Sequence, residues 1–213
     1  MVELFFASHN VGKIKEVQTL LSPLGVHVLS PRDLKVADHF EVVETGATFA
    51  ENAELKARSF AAEITKTLPS HDPRQKEIWI LADDSGLMVD ALGGQPGVLS
   101  KRFVPGTDED RNQAVIEKLA TFRDFDQRVA HFVTVFCLFQ PATKEIHFFE
   151  GQVDGEIAFA ERGDEGFGYD SIFMPEGYQQ TFGELGAEMK NEVSHRAKAA
   201  QQLAAFLQKE THE

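Results

Sequence analysis

The sequence predicts an α/β fold with a mixed central sheet and flanking helices, on three observations. Short apolar runs alternate with segments of helical periodicity through the first third of the chain. Two long β-rich runs lie further on, separated by Pro141-Ala142-Thr143-Lys144, which marks a hairpin. A length of 213 residues with 42% hydrophobic side chains suits one large domain, or one domain with two lobes, and argues against disorder.

Taken in order, Val2 to Ala7 reads as a short buried strand and Ser8 to Lys13 as a polar turn. Ile14, Val17, Leu20 and Leu21 then recur at helical spacing, with Asn10 or Ser8 placed to cap the helix. Val26 to Leu29 is a second strand. Thr48 to Thr65 is the clearest helix: Thr48 and Glu51 have capping-box spacing, and Ala50, Ala53, Ala57, Phe60, Ala61 and Ile64 form an apolar stripe. Leu68 to Lys76 carries two prolines and no periodicity and reads as a loop.

Ile78 to Ala82 reads as a short buried strand that delivers an acidic turn, Asp83-Asp84-Ser85-Gly86. A Gly/Pro-rich loop, Gly93 to Gly97, follows. Asp108 to Phe122 is expected to be a helix capped by Thr107. Val129 to Phe139 and Ile146 to Val153 form the hairpin, expected at a sheet edge or as a second lobe. Gly163 to Asp170 is a glycine-rich loop, and Ser194 to Gln208 a final helix with Ala197, Ala200, Leu203, Ala204 and Leu207 on one face. There is no internal repeat, low-complexity tract or linker.

Composition narrows the function. The net charge of -13, from 34 acidic and 21 basic residues, argues against a nucleic-acid-binding protein held by a broad basic surface. It leaves room for a small phosphorylated ligand held by local cations or a metal. The 18 Phe against one Trp and two Tyr read mainly as packing residues. Cys137 is the only cysteine and sits in an apolar run, as expected of an inert buried thiol in a reducing compartment. The N-terminal residues lack the features of a signal peptide, and no apolar run approaches the ~20 residues of a membrane span. A cytoplasmic protein without a membrane partner is expected.

Four polar clusters fall at predicted turns or element ends, where active groups are usually placed. Ser8-His9-Asn10-Val11-Gly12-Lys13 offers backbone N–H groups at a helix start and one ammonium; it reads as a phosphate site or as a capped helix with a surface lysine. The spacing of a P-loop is absent. Glu44-Thr45-Gly46 is a lone acid before a turn. Asp83-Asp84-Ser85-Gly86 puts two carboxylates side by side, which a hard cation such as Mg²⁺ would relieve; the alternative is an Asx turn capped by Ser85. Its spacing does not match the D-x-D-x-[TV] motif of haloacid-dehalogenase-type phosphatases. The fourth cluster joins Gly166-Phe167-Gly168-Tyr169-Asp170 with Lys190 and Ser194-His195-Arg196, able to stack on and hydrogen-bond a base, or simply a core aromatic and a helix cap.

Together these clusters resemble the inosine triphosphatase family, also called XTP/dITP diphosphatases, from Ala7 to about Ala199. The matching residues are Ser8-His9-Asn10 with Lys13, Glu44-Thr45-Gly46-Ala47-Thr48-Phe49 with Glu51-Asn52-Ala53, and Ala82-Asp83-Asp84-Ser85-Gly86-Leu87. They continue with Gly94-Gln95-Pro96-Gly97, Ser100 and Arg102, then Gly166-Phe167-Gly168-Tyr169-Asp170 and Ser194-His195-Arg196. The resemblance implies one nucleoside-triphosphate pyrophosphatase domain over residues 1–213, with two lobes around an active-site cleft. It implies Mg²⁺-dependent hydrolysis of ITP, dITP and XTP to monophosphate and pyrophosphate, a homodimer, and sanitation of the nucleotide pool. Ser8 and His9 depart from a motif that often has Thr and a small residue there, and the segment from Thr67 to Glu77 is longer than expected of bacterial members.

On that resemblance Glu44 and Asp84 are expected to hold Mg²⁺ with Asp83 nearby, and Asp84, with Asp83, to orient or deprotonate the attacking water. Ser8, His9, Asn10, Val11, Gly12, Lys13 and Lys190 are expected at the triphosphate. Ser85, Phe167, Gly168, Tyr169, Asp170, His195 and Arg196 are expected at the nucleoside, with Phe167 stacking on the base and Arg196 or His195 donating to a 6-carbonyl. The rival readings are a less selective nucleotide pyrophosphatase and a non-catalytic nucleotide-binding regulator.

Overall fold

The computed structural model describes residues 2–210; Met1 and residues 211–213 lie outside the described residues. By chain contacts the protein divides into two compact units, Met1–Asp84 with Val135–Glu150 and Ala199–Glu213, and Ser85–Thr134 with Gly151–Lys198. The strand order is β2-β1-β3-β5-β6-β7, with β4 pairing β3.

In the first unit, β1 (Val2–Phe6) pairs in parallel with β2 (Val26–Leu29) and with β3 (Trp79–Val89), Phe5 standing opposite Leu29 and Ile80. Alternation along these strands divides the core. Phe5, Ala7, Ile80, Ala82, Cys137 and Phe139 pack with Ala53, Ala57, Phe60 and Ile64 of α2 (Phe49–Thr67). Leu4, Phe6, Leu81, Phe136 and Leu138 pack with Val17 and Leu21 of α1 (Val11–Leu21) and with Ala199, Ala200, Leu203 and Leu207 of α6 (His195–Glu210). Successive strand residues face opposite sides of a sheet, so α2 covers one face and α1 and α6 the other.

The helix starts follow their caps. The Asn10 side chain accepts from Lys13 N–H at the start of α1, and Thr48 and Glu51 form a reciprocal capping box at the start of α2. The expected loop after α2 ends in one short helical turn, α3 (Arg74–Glu77), where Gln75 Nε2 donates to the Leu68 carbonyl at 2.7 Å.

In the second unit, Leu87, Val89, Val115, Leu119, Ala130, Phe132, Val153, Ile157, Tyr169, Phe173 and Phe182 form one core. It contains β4 (Gln95–Pro96), α4 (Asp108–Lys118), β7 (Phe173–Pro175) and α5 (Phe182–Val193). The hairpin strands β5 (Val129–Phe139) and β6 (Ile146–Ile157) run through both units.

Five expectations are corrected. The acidic segment is not a turn: β3 runs through Asp83-Asp84-Ser85-Gly86 to Val89, because the buried carboxylates meet lysines and need not leave the sheet. The hairpin is not at an edge, since β5 lies between β3 and β6. β6 runs four residues further than Val153, to Ile157. The predicted helix to Phe122 stops at Lys118, where Arg128 holds the following turn by donating to the Leu119 and Phe122 carbonyls at 3.0 and 3.3 Å. Helix α5 and strand β7 were not expected. Thr181 and Glu184 give α5 a capping box, but left-handed Gly186 kinks it and interrupts its periodicity.

Among the described residues, no helix is long and apolar enough to cross a membrane. Cys137 is fully buried, and burial pushes its thiol up to about 12. At pH 8 the native thiol is therefore neutral. A chromogenic disulfide reagent should leave it unlabelled in the native protein and label it stoichiometrically in denaturant; rapid native labelling would show that this core opens.

Candidate active site

Three segments of the first unit converge on the two aspartates. Asp83 follows the side of Leu81, which faces α1, and Asp84 follows the side of Ala82, which faces α2. The partners match that division. Lys13 of α1 places Nζ 3.1 and 2.9 Å from the two Asp83 oxygens. Lys56 of α2 places Nζ 3.1 Å from Asp84 Oδ1 and 2.8 Å from Glu44 Oε1, and Asn52 Nδ2 donates to Asp84 Oδ2 at 3.1 Å.

Asn52 also explains why a glycine follows Glu44-Thr45. Its Oδ1 accepts from Gly46 N–H at 2.8 Å, and a Cβ at Gly46 would stand 2.7 Å from that same oxygen. Glu51 accepts from the N–H groups of Ala47 and Thr48 at 2.6 and 3.1 Å, which fixes the chain that carries Glu44.

The aspartates are 1% and 6% exposed, so their charge matters. Burial raises the Asp84 carboxyl above its ordinary value; Lys56 opposes this, Glu44 adds to it, and Lys13 opposes it. Burial alone would lower the Lys56 ammonium, but Asp84, Asp83 and Glu44 outweigh burial and leave it raised, so it stays charged.

The donor set suits a hard divalent cation. Glu44 and Asp84 already share one ammonium, so one oxygen of each lies within reach of a single cation. Mg²⁺ is commonly held by one or two carboxylates together with substrate phosphates. Among the described residues, no three His, Cys, Asp or Glu side chains are arranged to hold a metal ion.

The turn before α1 presents backbone N–H groups at a helix start, an arrangement that can meet an anion. Asn10 N–H donates to Ser8 Oγ at 3.2 Å, Asn10 caps the helix, and Val11 and Gly12 occupy its first turn. The His9 ring lies against Phe60 at 5.6 Å between centroids, and its Nε2 is buried with no hydrogen-bond partner among the described residues.

The second unit gathers the remaining expected residues. Asp170 Oδ2 accepts from Phe167 N–H at 2.8 Å and from Lys190 Nζ at 2.5 Å. Left-handed Gly166 leaves room for that carboxylate, since a Cβ there would stand 2.2 Å from it. Lys190 Nζ lies 4.4 Å from the Phe167 ring centroid and Arg196 Cζ 5.4 Å. Arg196 Nη2 donates to Ser85 Oγ at 3.2 Å, and Ser85 Oγ lies 2.7 Å from Thr134 Oγ1. His195 is 1% exposed and stacks on Phe132 at 4.8 Å. Tyr169 is buried and donates to the Ser100 carbonyl at 2.8 Å, so its hydroxyl anchors the loop from below. Lys190, expected at the triphosphate, lies with Asp170 and Phe167.

Lys56, Thr134 and the contact of Asn52 with Asp84 did not emerge from the sequence. A signal for two of them existed. Asn52 and Lys56 are four residues apart and lie together on α2 beside the apolar stripe of Ala53, Ala57 and Phe60, with Asn52 buried. Two polar residues bordering a buried stripe call for a polar partner, and Asp84 is that partner.

Comparison with known proteins follows this geometry. The model of the Ham1 family matches residues 4–206. A protein of Leuconostoc mesenteroides described as a dITP/XTP pyrophosphatase is 40% identical over 207 residues, 97% of this chain and 96% of its own length. One of Bacillus subtilis, described in the same words, is 38% identical over 211 residues, 98% of each chain. The solved structure of a HAM1 protein from Coxiella burnetii superposes with a TM-score of 0.80 at 37% identity, covering 98% of this chain and 100% of that one. The two share a mixed α/β fold.

Replacing Lys56 with Met removes the ammonium shared by Glu44 and Asp84. The loss should be about 3 kcal/mol of stability, the scale for stripping one partner from a buried ion pair. Urea denaturation of the metal-free protein measures it; an unchanged midpoint would show that the carboxylates do not need this cation.

Proposed function

The chain belongs to the Ham1 family, and from that premise we propose that it hydrolyses deaminated purine nucleoside triphosphates, ITP, dITP and XTP, to the monophosphate and pyrophosphate. The observation that supports this most directly is the charge at Asp83, Asp84 and Glu44. Two ammonium groups, Lys13 and Lys56, face three carboxylates, so the group carries one net negative charge. Such a group cannot hold a triphosphate unaided, yet it is backed by an anion-binding helix start. A divalent cation reverses the sign and reconciles the two. Full-length similarity to proteins described as dITP/XTP pyrophosphatases supports the same reading.

Glu44 and Asp84 would hold Mg²⁺, in agreement with their sharing of one ammonium. When bound, the ion lowers the pKa of a water and offsets phosphate charge. Lys13, Lys56 and the first-turn N–H groups of α1 bind the phosphates. Asp84 orients the attacking water and accepts its proton. The water oxygen forms a bond to the α-phosphorus, the bond to the α–β bridging oxygen breaks, and pyrophosphate leaves with that oxygen. Most of the work is placement and fixed charge.

In the second unit Phe167 stacks on the purine and Arg196 donates to its 6-carbonyl. Adenine presents an amino donor at that position, and each unmatched buried polar group costs about 1–3 kcal/mol. The role that follows is removal of deaminated triphosphates from the nucleotide pool.

Pyrophosphate release from ITP, GTP and ATP with Mg²⁺ should favour ITP; equal rates would remove the base selectivity and leave a general nucleotide pyrophosphatase. Asp84→Asn should retain the wild-type circular dichroism spectrum and lose at least about a hundredfold in kcat. Near-normal turnover would take Asp84 out of the reaction.

A further inference from the structure

The loop that carries Phe167 is gripped from a helix that none of the motifs includes. Gly168 adopts a left-handed backbone (φ 64°), and both polar groups of this residue are held by α4. Its N–H donates to Asp108 Oδ2 at 2.8 Å, and its carbonyl accepts from Asn112 Nδ2 at 3.1 Å. Asp108 is itself fixed by Arg111, which pairs with its other oxygen and donates to the Gly106 carbonyl at 2.9 Å. Asn112 is 2% exposed, and its Nδ2 also lies 2.9 Å from Ser171 Oγ and 3.0 Å from Glu161 Oε2. Ser171 donates onward to Glu161 at 2.8 Å.

We propose that Asp108 and Asn112 are positioning residues for base recognition, setting the plane of the Phe167 ring through the Gly168 peptide. This rests on the reading that Phe167 stacks on the purine. Gly168 is the residue after Phe167, and the other side of Phe167 is fixed by its own N–H on Asp170. The backbone of the stacking residue is thus tied at both ends, on one side by Asp170 and Lys190 and on the other by α4. A glycine with a left-handed backbone has no side chain to resist rotation, so the hydrogen bonds must supply the restraint. Asp108 and Asn112 lie four residues apart and therefore project from one face of α4, which lets a single helix hold both the donor and the acceptor of one residue. Rigid support of this kind lowers the ordering cost of binding a flat ligand.

The test compares Asn112→Ala, Asp108→Ala and Asp108→Asn with a control, Gln113→Ala, on the exposed side of the same helix. Kinetics with ITP, GTP and ATP are read beside calorimetric binding of inosine monophosphate, which needs no turnover. Both alanine variants at the proposed positions should raise KM for ITP and weaken binding of the monophosphate about tenfold, with kcat changed much less. Asp108→Asn retains an oxygen for the Gly168 N–H and should recover most of the loss; Gln113→Ala should match the wild type. Alanine variants with normal melting temperature, KM and monophosphate affinity would overturn the assignment. So would a loss confined to kcat, or an Asp108→Asn variant no better than Asp108→Ala. Should Asn112→Ala melt early, the Asp108 pair still decides the question. If the wild type itself shows no preference for ITP, the reading of the base site fails first and carries this inference with it; a wild-type preference for ITP together with normal KM and monophosphate affinity in both alanine variants sinks the positioning role alone.

Discussion

Two adjacent carboxylates inside a buried strand are the constraint on which the first unit turns. Side by side in a turn, Asp83 and Asp84 could splay into water. Within β3 they cannot, and alternation sends one to each face of the sheet. Each face must then bring its own cation. Helix α1 supplies Lys13 and helix α2 supplies Lys56. Unpaired, a buried charge costs several kcal/mol, so the lysines are conditions for the strand to exist as well as parts of the site. The same alternation separates the two aspartates by role: Asp83 is bound at both oxygens by the lysine next to the anion-binding turn, while Asp84 faces Glu44 and Asn52.

The second unit relies mainly on neutral groups. Hydroxyls and amides hold its loops, Tyr169 on Ser100, Asn112 on Gly168 and Ser85 on Thr134, with the Asp108 carboxylate added at the Gly168 N–H. The charges it uses are kept close to partners. Lys190 rests on Asp170, and Arg128, with no carboxylate beside it, is surrounded by four backbone carbonyls and the Phe159 ring. Burial lowers the Arg128 guanidinium, and those carbonyls answer its hydrogen-bonding demand.

Much of this was legible where the signal is local. The ends of β2, the start of α1 and the capping box of α2 follow from residues within one turn of each other. Some of the motif residues do meet in the fold: Lys13 pairs with Asp83, and Lys190 and Arg196 lie over Phe167. What escaped depends on contacts distant in sequence. Asp83-Asp84-Ser85-Gly86 has the composition of a turn, and only Lys13, 70 residues away, and Lys56, 28 away, make it a strand. Helix α5 carries a legible cap, but Gly183 and Gly186 dilute the periodicity that would have extended it. Helix α4 stops early because Arg128, just before β5, reaches back to the turn that follows it. Asn52 was visible as part of a motif and Lys56 was not, although both border the apolar stripe of α2; a search for polar residues four apart beside such a stripe would have found the pair.

Net charge deserves the same local treatment. A net charge of -13 disfavours a long polyanion, and screening over roughly a Debye length of 8 Å weakens the coupling between distant exposed charges. Buried groups escape that screening. Lys56 and Lys13 are mostly shielded from solvent, at 12% and 18% side-chain exposure, and their fields act in a medium far less polarisable than water. Each is already committed to a carboxylate, so neither attracts anions indiscriminately. A divalent cation between Glu44 and Asp84 would compete with the Lys56 ammonium for the same carboxylate oxygens. An ammonium displaced in that way would face an anion instead, so cation and phosphate binding would be coupled through charge alone.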